Sequence, residues 1–126
     1  MAGTLEHLNV TVKDPQATAA MLCDLFDWKI RWEGPGMETG YTVHVGSDES
    51  YLAVFAYDGA QETSGDTYRR QAGLNHVGIV VDDLDKTEAR VKARGYTPGE
   101  LYDYEPGRRF YFTEENGIEI EVVSYA

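Results

Sequence analysis

The sequence predicts an α+β fold: two βαβββ modules forming a curved mixed sheet around a central cleft. Three observations carry this expectation. The run His7-Leu8-Asn9-Val10-Thr11-Val12 returns as His76-Val77-Gly78-Ile79-Val80-Val81, at an offset of 69 in a chain of 126 residues. Each run leads to an aspartate, Asp14 or Asp83, and then to a stretch of helical character. Three strand-like runs with turn signals between them follow each helix.

Residues 5–12 alternate and are rich in β-branched side chains, so they read as a strand. Asp14-Pro15 is a helix start, with an N-cap side chain followed by proline at the first helical position. Met21, Leu22, Leu25 and Phe26 recur at helical spacing. Residues 28–32 read as a strand and Gly34-Pro35-Gly36 as a turn. Residues 41–45 and 51–57 are two more strands around the polar turn Gly46-Ser47-Asp48-Glu49. Residues 1–57 thus form a first module. Residues 58–73 are polar and aperiodic and read as a linker. Residues 74–126 repeat the order: a strand at 74–81, a helix from Asp83 to about residue 94 ending at Gly95, and a short edge strand at 96–101 interrupted by Pro98-Gly99. The final strands are 109–113 and 118–125, with Asn116-Gly117 between them as a turn signal. One helix cannot cover and stabilise a module of this size alone, so the two modules are expected to share one domain.

Composition excludes several roles. The net charge of −11 disfavours nucleic acid, whose backbone would be repelled. No apolar run approaches the ~18–20 residues of a membrane span, and the first residues lack a secretory pattern. The expectation is therefore a soluble, cytoplasmic protein. The single cysteine, Cys23, rules out an intrachain disulfide and reads as a small buried thiol.

Strand parity assigns faces. Leu8, Val10, Val77, Ile79 and Val81 go beneath the helices. His7, Asn9 and Thr11 share the opposite face in the first module, as do His76, Gly78 and Val80 in the second. Ile118, Ile120 and Val122 require the helix side, which turns Glu119 and Glu121 inward. Two inward carboxylates are costly unless paired, coordinated or solvated. Two inward histidines and an inward glutamate form a 2-His-1-carboxylate set, suited to Fe²⁺, Mn²⁺, Ni²⁺ or Zn²⁺. Three ligands leave positions where a small substrate with adjacent oxygens can chelate. Either histidine alone would more often be a core hydrogen-bonding group. Two at equivalent points of a repeat, with Glu121 in register, favour the metal.

These segments, together with Phe110-Tyr111-Phe112-Thr113-Glu114-Glu115-Asn116-Gly117-Ile118-Glu119-Ile120-Glu121, resemble the vicinal oxygen chelate superfamily of glyoxalases, bleomycin-resistance proteins and dioxygenases. The resemblance covers nearly the whole chain and implies metal ligation by His7, His76 and Glu121. It does not select an activity, since the family spans lyases, isomerases, thiol transferases, dioxygenases and binding proteins. Four-ligand glyoxalase I enzymes carry a further ligand where this chain has Ala53, so that type is disfavoured; Tyr51 is the alternative oxygen donor if the register moves by two. Fosfomycin-inactivating relatives resemble the three-ligand order but normally continue with basic residues after the last strand. The resemblance also implies a homodimer, in which modules of two chains can combine around one site.

Other side chains complete the expectation. Glu119 is a candidate general base beside the metal, with a solvated carboxylate as the plain alternative. His44 is a candidate acid or base. Tyr41, Tyr51, Phe55 and Tyr111, with the small Ala53, are candidate substrate-lining positions, and ordinary packing explains the aromatic ones equally. Arg109 could pair with a substrate carboxylate or form a surface ion pair. The functional expectation is a metal-dependent lyase, isomerase or dioxygenase. The alternative is a metal-free binding or resistance protein of the bleomycin-resistance type.

Overall fold

The alternation in residues 7–11 and the helical spacing that follows build the first module of the computed structural model, which describes residues 1–62, 66–104 and 106–126. The chain divides into two compact units, Met1–Glu62 and Thr63–Ala126. In the first, β1 (His7–Thr11) leads to α1 (Pro15–Phe26), then β2 (Lys29–Pro35), β3 (Tyr41–Gly46) and β4 (Tyr51–Ala56). The second repeats the order with β5 (His76–Val80), α2 (Leu84–Ala93), β6 (Tyr102–Tyr104), β7 (Gly107–Thr113) and β8 (Glu119–Ser124). Each unit holds a four-stranded mixed sheet, ordered β1-β4-β3-β2 and β5-β8-β7-β6. The first strand of each module runs parallel to its last, and the remaining pairs are antiparallel. The fold class is α+β with two βαβββ modules.

Both helices start where a carboxylate satisfies a free N–H. Asp14 Oδ1 accepts from the Ala17 amide at 3.1 Å, and Asp83 Oδ1 from the Lys86 amide at 3.0 Å. The stripe Ala19, Met21, Leu22 and Leu25 of α1 is buried against β3 and β4. Leu84, Thr87 and Val91 of α2 are buried, and α2 packs on β8. Val43, Val45 and Val54 supply the first core, and Phe110, Phe112, Ile120 and Val122 the second. The last hairpin turns at Gly117, whose φ of +85° a side chain would strain. It is held by Glu114, a buried carboxylate that accepts from the amides of Asn116 and Ile118 at 2.7 and 2.9 Å.

Three local expectations change. Strand β2 runs through Pro35, where a turn was expected. It is an edge strand, so a missing N–H is tolerated. The turn lies beyond, closed by Gly36 N–H to Gly40 O and Gly40 N–H to Met37 O, both at 2.8 Å. Residues 96–101 do not form a strand. Pro98 lacks a donor, the Gly99 N–H bonds Tyr111 O at 2.7 Å, and the edge strand begins only at Tyr102. Within the segment expected to be an aperiodic linker, Thr67–Arg69 forms a 3-10 turn because Asp66 Oδ1 accepts from the Tyr68 amide at 2.9 Å. Residues 63–65 of that segment lie outside the described residues.

Candidate functional site

Parity places His76, Glu119, Glu121, Tyr111 and Arg109 on the sheet face opposite α2, where His76 pairs with Glu119 and Tyr111 with Glu121 across the ladders. Their hydrogen bonds run in two directions from one gap. On one side, Glu121 Oε1 accepts from Arg109 Nη1 at 3.1 Å and from the Tyr111 hydroxyl at 2.9 Å. The Arg109–Glu121 pair is largely buried, the side chains 14 % and 13 % exposed. Burial first, and then the bond to Glu121, pushes the Tyr111 hydroxyl up to about 12. The same carboxylate raises the Arg109 guanidinium above its ordinary range.

On the other side, the Tyr68 hydroxyl donates to Glu119 Oε1 at 2.6 Å and lies 3.1 Å from His76 Nδ1. The bond to Glu119 is the main reason the Tyr68 hydroxyl is pushed up to about 12. Between the two arms, His76 Nε2 faces Glu121 Oε2 at 3.7 Å. Gly78 leaves the space beside that oxygen open, since a Cβ there would stand 3.3 Å from it.

In the first module the face opposite α1 carries a ring ladder. His7 stacks on Tyr51 at 4.8 Å, Tyr51 on His44 at 4.6 Å, and His44 meets Trp32 at 5.2 Å. His7 Nδ1 bonds Glu6 Oε1 at 2.8 Å, and the Tyr51 hydroxyl donates to the same oxygen at 3.3 Å. His7 is partly exposed. Burial, then the charges of His7 and Arg31, lowers the His44 pKa below the ordinary histidine range.

This last shift has a testable sign. In the unfolded chain His44 takes up a proton near pH ~6.5; in the folded chain it does so at lower pH. Its contribution to stability is therefore complete above that pH and is lost as the pH falls below it. Urea midpoints measured from pH 7.5 to 5 are expected to fall less steeply in His44→Gln than in the parent chain. Identical slopes would sink this assignment.

The sequence-derived candidates fall into distinct places. The second module brings His76, Glu119, Glu121, Arg109 and Tyr111 together, and the first brings His7, His44 and Tyr51 together. Ala53 is buried and pairs with Asn9 as Glu121 pairs with Gly78, so it occupies the position equivalent to Glu121. Phe55 shares the His7 face but packs over the 36–40 turn, where a Cβ on Gly40 would stand 2.3 Å from its ring. Tyr41 is turned to the other side: its hydroxyl donates at 2.6 Å to Glu33, which also accepts from Gln16 of α1. Arg109 is engaged by Glu121, with its guanidinium 5.3 Å from the Tyr104 ring centroid.

Four participants escaped sequence reasoning. Tyr68 lies in the stretch taken for a linker, and its only local signal is the Asp66 cap. Glu6 directly precedes a candidate ligand but stands before the strand starts. Arg31 and Trp32 reach the His7 face beside a register shift between Ile30 and Trp32, which strict alternation does not foresee.

The donor chemistry fits a divalent ion. Two ligands each ~2.0–2.2 Å from one ion stand between about 3 and 4 Å apart, depending on the angle between them, and His76 Nε2 and Glu121 Oε2 lie within that range. Among the described residues, no group of three or more His, Cys, Asp or Glu side chains is gathered to hold a metal. Next to this pair, Tyr68, Gly99, Glu100, Tyr102, Tyr111 and Glu119 line a cavity of about 320 Å³. Among the described residues no helix is long and apolar enough to cross a membrane.

Comparison with known proteins agrees with this architecture. A family model described as Glyoxalase/Bleomycin resistance protein/Dioxygenase superfamily matches residues 4–122. No curated protein matches the sequence. The fold is similar to a glyoxylase/bleomycin resistance protein/dioxygenase domain from Frankia sp. EAN1pec, at 21 % identity and a TM-score of 0.82, covering 98 % of each chain. It is also similar to the fosfomycin resistance protein FosX from Listeria monocytogenes, at 20 % identity and a TM-score of 0.73, covering 98 % of this chain and 94 % of that one. TioX from Micromonospora sp. ML1 is similar at 17 % identity and a TM-score of 0.70, covering 98 % of this chain and all of the other.

Proposed function

Given that the chain belongs to the Glyoxalase/Bleomycin resistance protein/Dioxygenase superfamily, we propose that it is a cytoplasmic, homodimeric, metal-dependent enzyme. Its substrate is a small molecule chelated through adjacent oxygens, and its reaction that of a lyase, isomerase or dioxygenase. The observation that carries the reading is that His76 Nε2 and Glu121 Oε2, two atoms of metal-ligating type, face each other at 3.7 Å, a separation one ion can bridge. His7 is the third proposed ligand, supplied by the same chain or by a second copy. Imidazole and carboxylate donors suit Fe²⁺, Mn²⁺, Ni²⁺ or Zn²⁺. Such an ion, when bound, supplies Lewis acidity to a developing enolate or alkoxide.

The chain's own residues do the rest. Arg109 and Tyr111 hold one oxygen of Glu121 and leave the other directed at His76. His44, whose pKa burial lowers, is a candidate proton acceptor on the His7 face. Glu119 gives one oxygen to Tyr68 and borders the cavity, from which it can exchange a proton with substrate. Tyr111 borders the cavity and is available to a small ligand there. The cavity volume is at the low end of the ~300–1,000 Å³ typical of small-molecule sites.

Metal analysis tests this directly. Protein purified without chelators is expected to carry near-stoichiometric metal, or to take up one of the four ions. Absence of both ends the enzyme reading.

A second reading has its own observation. Three tyrosines and two glutamates line the cavity, in a chain of net charge −11, and aromatic faces with carboxylates suit a cation. This favours a metal-free protein that sequesters a small cationic ligand. Tight binding of a cationic drug, unchanged by chelator and by His76→Ala, would select it.

A further inference from the structure

We infer that Tyr68 is a positioning residue: its hydroxyl fixes His76 in the Nδ1-protonated tautomer and thereby turns a bare Nε2 lone pair toward Glu121. The effect on a metal rests on the function proposed above, but the tautomer itself does not. The Tyr68 hydroxyl has one, and the 2.6 Å contact with Glu119 Oε1 places it there, since a carboxylate is the strongest acceptor in reach. The phenolic oxygen can then only accept at its 3.1 Å contact with His76 Nδ1, so Nδ1 carries the hydrogen. A neutral imidazole has one N–H, which leaves Nε2 with its lone pair, 3.7 Å from Glu121 Oε2. That oxygen is the free one, because Oε1 already accepts from Arg109 and Tyr111.

The first module uses the same logic with different parts. His7 Nδ1 faces Glu6 Oε1, a carboxylate that can only accept, so the proton again sits on Nδ1 and Nε2 is left bare. The second module has no carboxylate directly before its histidine, where Asn75 stands. Tyr68 carries the influence of Glu119 to Nδ1 instead. Tyr68 comes from outside the βαβββ repeat, which makes it an addition to the module rather than part of its duplication.

The test is nitrogen-detected NMR of His76 in chain labelled with ¹⁵N-histidine, freed of metal and held at a pH where the ring is neutral. The parent chain is expected to show protonated Nδ1 and bare Nε2. Tyr68 is 57 % exposed, so Tyr68→Phe removes the hydroxyl without opening the core; it is expected to shift His76 toward the Nε2–H form. Glu119→Leu removes the acceptor, so Tyr68 would donate to Nδ1 and the tautomer would reverse. An Nε2–H parent, or a tautomer unmoved in either variant, overturns the inference. Zn²⁺ affinity gives a separate readout, expected to fall about 10- to 100-fold in Tyr68→Phe. If the tautomer moves as described but the parent binds no Zn²⁺, the inference stands and the metal reading fails. If the parent binds Zn²⁺ while Tyr68→Phe changes neither tautomer nor affinity, the inference fails and the metal reading stands.

Discussion

Glu121→Ala is expected to reduce metal affinity by more than the ~10- to 100-fold that loss of an outer hydrogen-bond partner costs, because it deletes a proposed ligand. It also leaves Arg109 largely buried without its anionic partner, which is destabilising. The two effects can be separated. Adding Arg109→Met should recover part of the lost stability, because the unpaired charge is gone, and none of the metal affinity. Binding is read by titration with Zn²⁺ and stability by urea unfolding of each variant. Retention of parental affinity by Glu121→Ala would remove that residue from the ligand set. The same variant tests whether the site is shared. Glu121→Ala chains mixed with His7→Ala chains, under conditions where subunits exchange, regain Zn²⁺ binding if one intact site forms between copies. A freely exchanging mixture that regains none would show that each chain must supply both residues itself.

Phe110→Ala is expected to be the most destabilising single truncation in the second module. Phe110 is fully buried and is the largest of the side chains in that state. It sits mid-strand in β7, opposite Val122 of β8. Removing a buried phenyl ring costs about 3–5 kcal/mol in lost transfer energy and residual cavity, a large share of the ~5–15 kcal/mol that holds a domain together. For a chain of this size the thermal midpoint should drop by roughly 10–20 °C. Phe110→Leu, which refills most of the space, should lose much less. A loss below about 1 kcal/mol in Phe110→Ala would mean that the strand relaxes into the gap and that the core is less tightly packed than its burial indicates.

Much of the second-module site was legible because strand parity is a local property. His76, Glu119 and Glu121 share a face by counting in twos from the apolar residues that must go beneath α2. The same counting placed His7 and Tyr51 together. It did not settle His44, which lies on the His7 face, or Tyr41, which lies on the other. The start of β3 follows a turn that runs past Pro35, so its register could not be counted from β2. Arg109 was read either as a group for a substrate carboxylate or as one half of a surface ion pair; the structure pairs it with Glu121, twelve residues along the chain on the neighbouring strand, in a largely buried contact. No sequence period announces a cross-strand pair offset in that way.

By itself the sequence determined the duplication, the order of strands and helices, the two N-caps and the residue types on each inner face, all consequences of short-range periods and capping chemistry. Only the tertiary structure decided what ties back Nδ1 of His7, Nδ1 of His76 and one oxygen of Glu121: Glu6 ahead of one strand, Tyr68 from an aperiodic segment, and Arg109 and Tyr111 across a ladder. The physical reason is that a hydrogen bond is made in space and not along the chain. Its donor can come from any segment that folding brings within about 3 Å, and that approach leaves no repeat to be read in advance.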